Sequence, residues 1–211
     1  IDGKWQYAQN IGPPVNIIYH SSNLAISADG TELYLYKSQN GGDIFLSTKN
    51  PDGSWSEPEA LNDNINSTFS ENSVSISPDG NTLYFSSDRP ISAGKTDLDI
   101  YVSKKGRNGE WGAAKNLGPT INTPYDEDGP FIDYDGKTLY FSSKGHKGMG
   151  GYDIYKTTYD EVNDSWSEPI NLGYPMNSPD NDVYSVSTRD AQRGYYASAK
   201  PDGLGFLDIY H

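Results

Sequence analysis

The side chains able to do chemistry recur on a fixed step. Eight residues before each of four regularly spaced aspartates (Asp29, Asp79, Asp135 and Asp190) stand Ser21, Glu71, Glu127 and Asp182. Paired carboxylates could serve as acid and base in glycoside hydrolysis. That chemistry needs two groups whose surroundings push their pKa values apart. Like residues at repeating positions have like surroundings, so the pattern favours a structural role as acceptors for backbone amides of an adjoining unit. No catalytic residue is assigned.

The same acids, with Asp126, Asp128 and Asn181, offer oxygens suited to calcium, but no calcium-loop spacing accompanies them. Neither a metal site nor a cofactor is expected. His20, His146 and His211 are far apart and the chain has no cysteine. A zinc site or a histidine-based triad would need three distant segments to converge. His146, in a glycine-rich loop, is expected to be solvated. Gly148-Met149-Gly150-Gly151 leads into a strand pattern, which is not the context of a phosphate loop.

The elements that must position these groups are repeats. Tryptophans at 5, 55, 111 and 166 are each followed after 11 residues by Asn16, Asn66, Asn122 or Asn177. Thirteen residues on come the four aspartates, and five further Tyr34, Tyr84, Tyr140 and Tyr195. A second anchor follows at Asp43, Asp99, Asp153 and Asp208, after gaps of 9, 15, 13 and 13 residues. Fixed intervals imply strands held in register, and the variable interval implies a surface loop.

Each unit reads as four strands. In the second, Ser73–Ser77 alternates, Pro78-Asp79-Gly80 turns, and Thr82–Ser86 and Asp99–Ser103 follow, with a last strand from Trp111 towards Leu117. No helical periodicity persists. Tandem four-stranded units are propeller blades. The expected fold is therefore an all-β propeller of antiparallel blades. Residues 1–12 form a closing strand, 13–62 blade 1, 63–118 blade 2, 119–173 blade 3 and 174–211 blade 4. The strand at Trp5 would complete the last blade and close a four-bladed ring. Membership in a larger ring is the rival arrangement. The repeated tryptophans suit blade-to-blade packing better than a sugar-stacking platform, which would differ between blades.

Sixteen basic against 29 acidic residues give a net charge of −13, which disfavours nucleic acid and anionic membrane surfaces as partners. No run is long and apolar enough to insert in a bilayer.

Ser77-Pro78-Asp79-Gly80 followed by Thr82-Leu83-Tyr84-Phe85-Ser86-Ser87 resembles the WD40-like Pro-Asp propeller repeat, found also in the periplasmic propeller of the Tol system. Asn116-Leu117-Gly118, Ile121-Asn122-Thr123 and Met149-Gly150-Gly151-Tyr152-Asp153-Ile154-Tyr155 resemble the propeller of OmpA-family, outer-membrane-associated proteins of Bacteroidetes, some of them related to type IX secretion. The resemblance weakens in the first and fourth repeats, at Ser27-Ala28-Asp29-Gly30 and Ser187-Thr188-Arg189-Asp190. It implies a periplasmic, outer-membrane-linked scaffolding module with protein partners of the cell envelope. A carbohydrate-binding or glycan-hydrolysing propeller is the alternative. The candidate partner-binding rim gathers the variable loops with the strand-entry acids: Glu71, Asp88, Arg89, Lys95, Glu127, Asp128, Lys144, His146, Lys147, Asp182 and Lys200.

Overall fold

The computed structural model describes residues 7, 9–16, 21–90, 96–201 and 203–211. The chain forms four antiparallel sheets arranged as a four-bladed β-propeller. Blade 1 comprises β1 (Ser21–Ile26), β2 (Glu32–Lys37), β3 (Asp43–Thr48) and β4 (Glu59–Ala60). Blade 2 comprises β5 (Glu71–Ile76), β6 (Thr82–Ser87), β7 (Asp99–Lys104) and β8 (Lys115–Asn116). Blade 3 comprises β9 (Glu127–Ile132), β10 (Thr138–Ser143), β11 (Asp153–Asp160), β12 (Ser165–Trp166) and β13 (Ile170–Asn171). Blade 4 comprises β14 (Asp182–Ser187), β15 (Gly194–Ser198) and β16 (Asp208–Tyr210). The closing strand expected at Trp5 lies outside the described residues.

The repeat markers explain themselves in the packing. Three of the four repeat asparagines act as a false strand. Asn66, Asn122 and Asn177 accept from the N–H and donate to the C=O of Ile44, Ile100 and Ile154, at 2.8–3.0 Å. Each thereby ties the segment entering a blade to the third strand of the blade before it. The three isoleucines are fully buried.

Trp111 and Trp166 pack between blades, and Trp55 packs against Leu33, Leu35 and Phe45 of blade 1. Trp111 is buried with Ile44, Ile65, Phe85 and Tyr101, and the ring of Trp166 meets that of Tyr84 edge-on, 6.1 Å between centroids. The expected fourth strands are broken in two. Trp55 and Trp111 make single bridges to β3 and β7 flanks, and short pairings resume four residues later. Pro58 and Pro169 stand in two of the gaps and have no N–H for a ladder. There a hydroxyl of the third strand takes over: Ser47, Ser103 and Thr157 donate to the carbonyls of Ser56, Gly112 and Ser167 at 2.6–2.7 Å.

The turn between first and second strands closes with an N–H donated to the carbonyl of Ser27, Ser77, Asp133 or Thr188, from Gly30, Gly80, Gly136 and Ala191. All four closing residues have φ between 52° and 73°. Glycine bears that without cost, and alanine does not.

Candidate functional site

The three acids at the strand entries share one wiring. Glu71 accepts from the N–H and hydroxyl of Ser67 and from Ser87 Oγ, at 2.7–3.1 Å. Glu127 accepts from Thr123 N (2.6 Å), Thr123 Oγ1 (2.8 Å) and Ser143 Oγ (2.6 Å). Asp182 accepts from Ser178 N (2.6 Å), Ser178 Oγ and Ser198 Oγ. All three are fully buried. This corrects their placement on the partner-binding rim: a carboxylate enclosed by its own turn cannot touch a partner. Burial pushes the carboxyl of Glu127 up to about 7, against the lowering effect of its hydrogen bonds from Ser143 and Thr123. Asp128 is also buried, bonded to Ser73 and Ser86 of blade 2 at 2.6 Å, so it joins blades and is likewise removed from the rim.

A second repeated device goes beyond the sequence expectations. Arg89, His146 and Lys200 occupy equivalent places beneath the loops joining second and third strands. The Arg89 guanidinium lies 5.1 Å from the ring centroids of both Phe85 and Tyr101 and donates to the carbonyl of Ile65. His146 sits 5.8 Å from Phe141 and 5.2 Å from Tyr155, its Nε2 2.9 Å from the carbonyl of Ile121. Lys200 lies over Tyr196 and Tyr210 and donates to the carbonyl of Pro175 at 2.8 Å.

Each side chain is half-buried and covers the pair of rings at the end of its blade. His146 is half-buried against the rings of Phe141 and Tyr155, where a solvated side chain was expected. Only Arg89 also reaches the buried acid, at 2.8 Å from Glu71 Oε1. The relevant sequence signal is a basic or imidazole group five or six residues after three of the four repeat tyrosines, Tyr84, Tyr140 and Tyr195; after Tyr34 the same places hold Gln39 and Asn40.

Of the remaining rim candidates, Asp88 accepts from Ser70 N, Lys144 pairs with Asp126 at 2.7 Å over the Tyr152 ring, and Lys147 is exposed. Lys95 lies outside the described residues. The oxygens considered for calcium are spent separately. Asp126 holds Lys144 and Leu98 N, Asp128 holds the two serines, and Asn181 Oδ1 accepts from Tyr152 N. Among the described residues no three His, Cys, Asp or Glu groups are placed to hold a metal.

What the wired acids support is exposed. Ser67 Oγ, fixed by Glu71, accepts from Phe69 N; Thr123 Oγ1, fixed by Glu127, accepts from Tyr125 N; Ser178 Oγ, fixed by Asp182, accepts from Asp180 N. Phe69 is 39% and Tyr125 60% exposed, and Asp180 is exposed too. Three identical turns therefore display three different tips on one rim. The sequence signal stands two residues before each acid, but nothing in the spacing says that these residues face outward.

The four inner strands surround a cavity of about 650 Å³, lined mainly by apolar groups such as Ile26, Ile76, Phe131 and Val186. Each inner strand has a register irregularity midway. In blade 4 it puts Tyr184 at φ 58°, with its ring over Gly129 and its hydroxyl 3.3 Å from Asp128. A Cβ at position 129 would stand 2.8 Å from that ring, so the bare glycine is what lets the left-handed tyrosine keep its place.

No family model and no curated protein matches the chain. Solved structures do. TolB from Acinetobacter baumannii superposes with a TM-score of 0.60 at 17% identity, over 90% of this chain and 41% of that one. An α-L-arabinofuranosidase from Lactobacillus brevis superposes with a TM-score of 0.52 at 12% identity, over 84% of this chain and 65% of that one. The chain thus spans less than half of that TolB. At these identities the likeness is one of fold: a β-propeller of the kind found in both a TolB and a glycosidase.

Proposed function

We propose that this propeller is a non-catalytic protein-interaction module of a cell-envelope assembly, and that its contact surface is the rim bearing Phe69, Tyr125 and Asp180. The observation that carries the reading is the pairing of identical support with unlike tips. Rigid display lowers the ordering cost of binding, and exposed aromatic residues are the side chains that most often dominate protein interfaces. The Lys144–Asp126 pair adds charge next to Tyr125. The non-catalytic reading is supported by the burial of Glu71, Glu127 and Asp182, the acids a glycosidase would have to expose to substrate.

A periplasmic site of action, linked to the outer membrane in the manner of OmpA-family and type IX secretion proteins, is supported by the repeat motifs. The TolB likeness in fold is compatible with it. No helix among the described residues is long and apolar enough to cross a membrane.

The test uses the protein as bait in envelope extract, beside a Phe69→Ala, Tyr125→Ala double variant. The expected result is a specific partner lost from the double variant while it keeps the cooperative unfolding transition of the folded propeller; Tyr125→Ala alone, at a side chain 60% exposed, should stay within about 2 °C of wild type. Equal capture by the two proteins refutes the rim assignment. Saturable binding or turnover on a glycan panel would replace the reading with the carbohydrate one.

A further inference from the structure

The molecule fastens successive blades with one clamp, made three times. In the second and third copies, an asparagine six residues upstream holds the clamping asparagine and the turn between them. Asn116 Oδ1 accepts from Gly118 N (2.8 Å) and Asn122 Nδ2 (2.9 Å); Asn171 Oδ1 accepts from Gly173 N (2.7 Å) and Asn177 Nδ2 (2.8 Å). Asn122 N and Asn177 N donate back to the carbonyls of Gly118 and Gly173 at 2.9 Å. The clamping side chain then engages the isoleucine of the preceding blade.

The segment Asn10–Asn16 is a further copy of this turn. Asn10 Oδ1 accepts from Gly12 N (2.7 Å) and Asn16 Nδ2 (3.0 Å), and Asn16 N donates to the carbonyl of Gly12 at 2.9 Å. The segment is anchored on the blade that follows it, as its counterparts are. Val15 is buried with Leu35 and Phe45 of blade 1, just as Ile121 is buried with Phe141 and Tyr155 of blade 3. Its other half is unmade. By the repeat, the seat for Asn16 is Ile209 in β16, the position equivalent to Ile44, Ile100 and Ile154. Those three are 0% exposed and Ile209 is 79% exposed. Inner strands pack in succession from blade 1 to blade 4, with no comparable packing between β14 and β1.

The geometry points to the edge of blade 4 as a docking surface whose occupant is this chain's own Asn10–Asn16 turn. Asn16 seats on the Ile209 N–H and C=O and closes the ring between blades 4 and 1. The partner is in the same chain because both sides of the seam already face one cavity. Ser22, Leu24 and Ile26 of blade 1 and Tyr184, Val186 and Ser187 of blade 4 line it together. Seating the latch converts a cavity with an open seam into an enclosed channel, so the latch governs access to its apolar wall.

The test is residue-resolved amide exchange on the whole chain. The Ile209 N–H is expected to be protected in wild type, and its exchange to quicken about tenfold or more in Asn16→Ala, as follows from losing a hydrogen-bonded clamp. The Ile154 N–H, held by Asn177, reports that the fold is intact and should not change. Asn10→Ala, which releases Asn16 from its turn, should give the same selective loss should Asn16→Ala fold poorly. Equal exchange at Ile209 in wild type and both variants overturns the inference. Protection that disappears on tenfold dilution also overturns it, because the latch would then belong to a second copy.

Discussion

Glu71 and Glu127 occupy the same position in neighbouring blades, with the same kinds of donor, yet differ in one partner. Arg89 reaches Glu71, whereas His146, in the equivalent place, bonds the carbonyl of Ile121. Glu127 therefore lies fully buried among neutral donors, with its carboxyl raised from 4.5 to about 7 by burial. The native state then holds a proton that the unfolded chain releases between these values. Where the native state binds more protons, stability falls as pH rises. The contribution is fully present below about pH 4.5 and is lost as pH passes 7. A tenfold change in proton affinity is worth about 1.4 kcal/mol, so wild type should lose about 2–3 kcal/mol from this group between about pH 5 and pH 8.

Glu127→Gln isolates the effect. An amide oxygen at the Oε2 place still accepts from Thr123 N, and the NH₂ at the Oε1 place can donate to Thr123 Oγ1. Ser143 Oγ already accepts from Gly145 N and His146 N, so its hydroxyl loses an acceptor, at a cost of about 1 kcal/mol. The variant should be about 1 kcal/mol less stable than wild type at about pH 5 and roughly 1–2 kcal/mol more stable at about pH 8. Urea titrations followed by tryptophan fluorescence at the two pH values measure this directly. Other titrating groups are common to both proteins and cancel in the difference. A stability difference that keeps its sign and size across that range would refute the assignment of a buried carboxyl that holds its proton.

Three further outcomes follow from the same wiring. Glu71→Gln should destabilise at both pH values, by at least about 2 kcal/mol, because it strands the Arg89 guanidinium beside a neutral amide; a denaturant titration showing no loss would mean the ion pair is idle. Asn122→Ala removes bonds to Ile100 N, Ile100 O and Asn116 in a buried place and should cost roughly 2–4 kcal/mol by the same method. Ala191→Gly relieves a left-handed alanine at a turn where the other blades have glycine and should stabilise by about 0.5–1 kcal/mol, seen as a raised melting temperature.

The blade architecture is legible in the sequence because strand register tolerates no insertion: the intervals from Trp to Asn to Asp to Tyr are rigid, and each marks a point where two strands or two blades meet. The outer strands read as continuous because Trp55 and Trp111 carry a strand-like signature, while their bridges to the sheet are single and the ladder lapses until Glu59 and Lys115. The rim is only partly legible. Variable loops do lie at one end of the blades, but charge is a poor guide to which of their side chains face out. Arg89, His146 and Lys200 are long or flat enough to cover aromatic rings, so they fold inward despite their polarity. Phe69 and Tyr125 do the reverse, because the serine or threonine two residues earlier fixes a turn that leaves its tip partly in solvent.

Repetition and exposure thus divide the residues of this propeller by role. A position that must satisfy the blade is filled by whatever chemistry can do the job, which is why a guanidinium, an imidazole and an ammonium all occur above stacked rings and all bond a carbonyl. An exposed turn tip is under less constraint, and there the three blades diverge to Phe69, Tyr125 and Asp180. Chemical variety at a repeat position that covers the same paired rings therefore marks interchangeable support. Variety at an exposed one, held on identical scaffolding, is where specificity can be written. The acids at the strand entries join the two: removed from solvent, they fix the serine or threonine that sets each tip, and under the proposed function they bear on recognition without touching a partner.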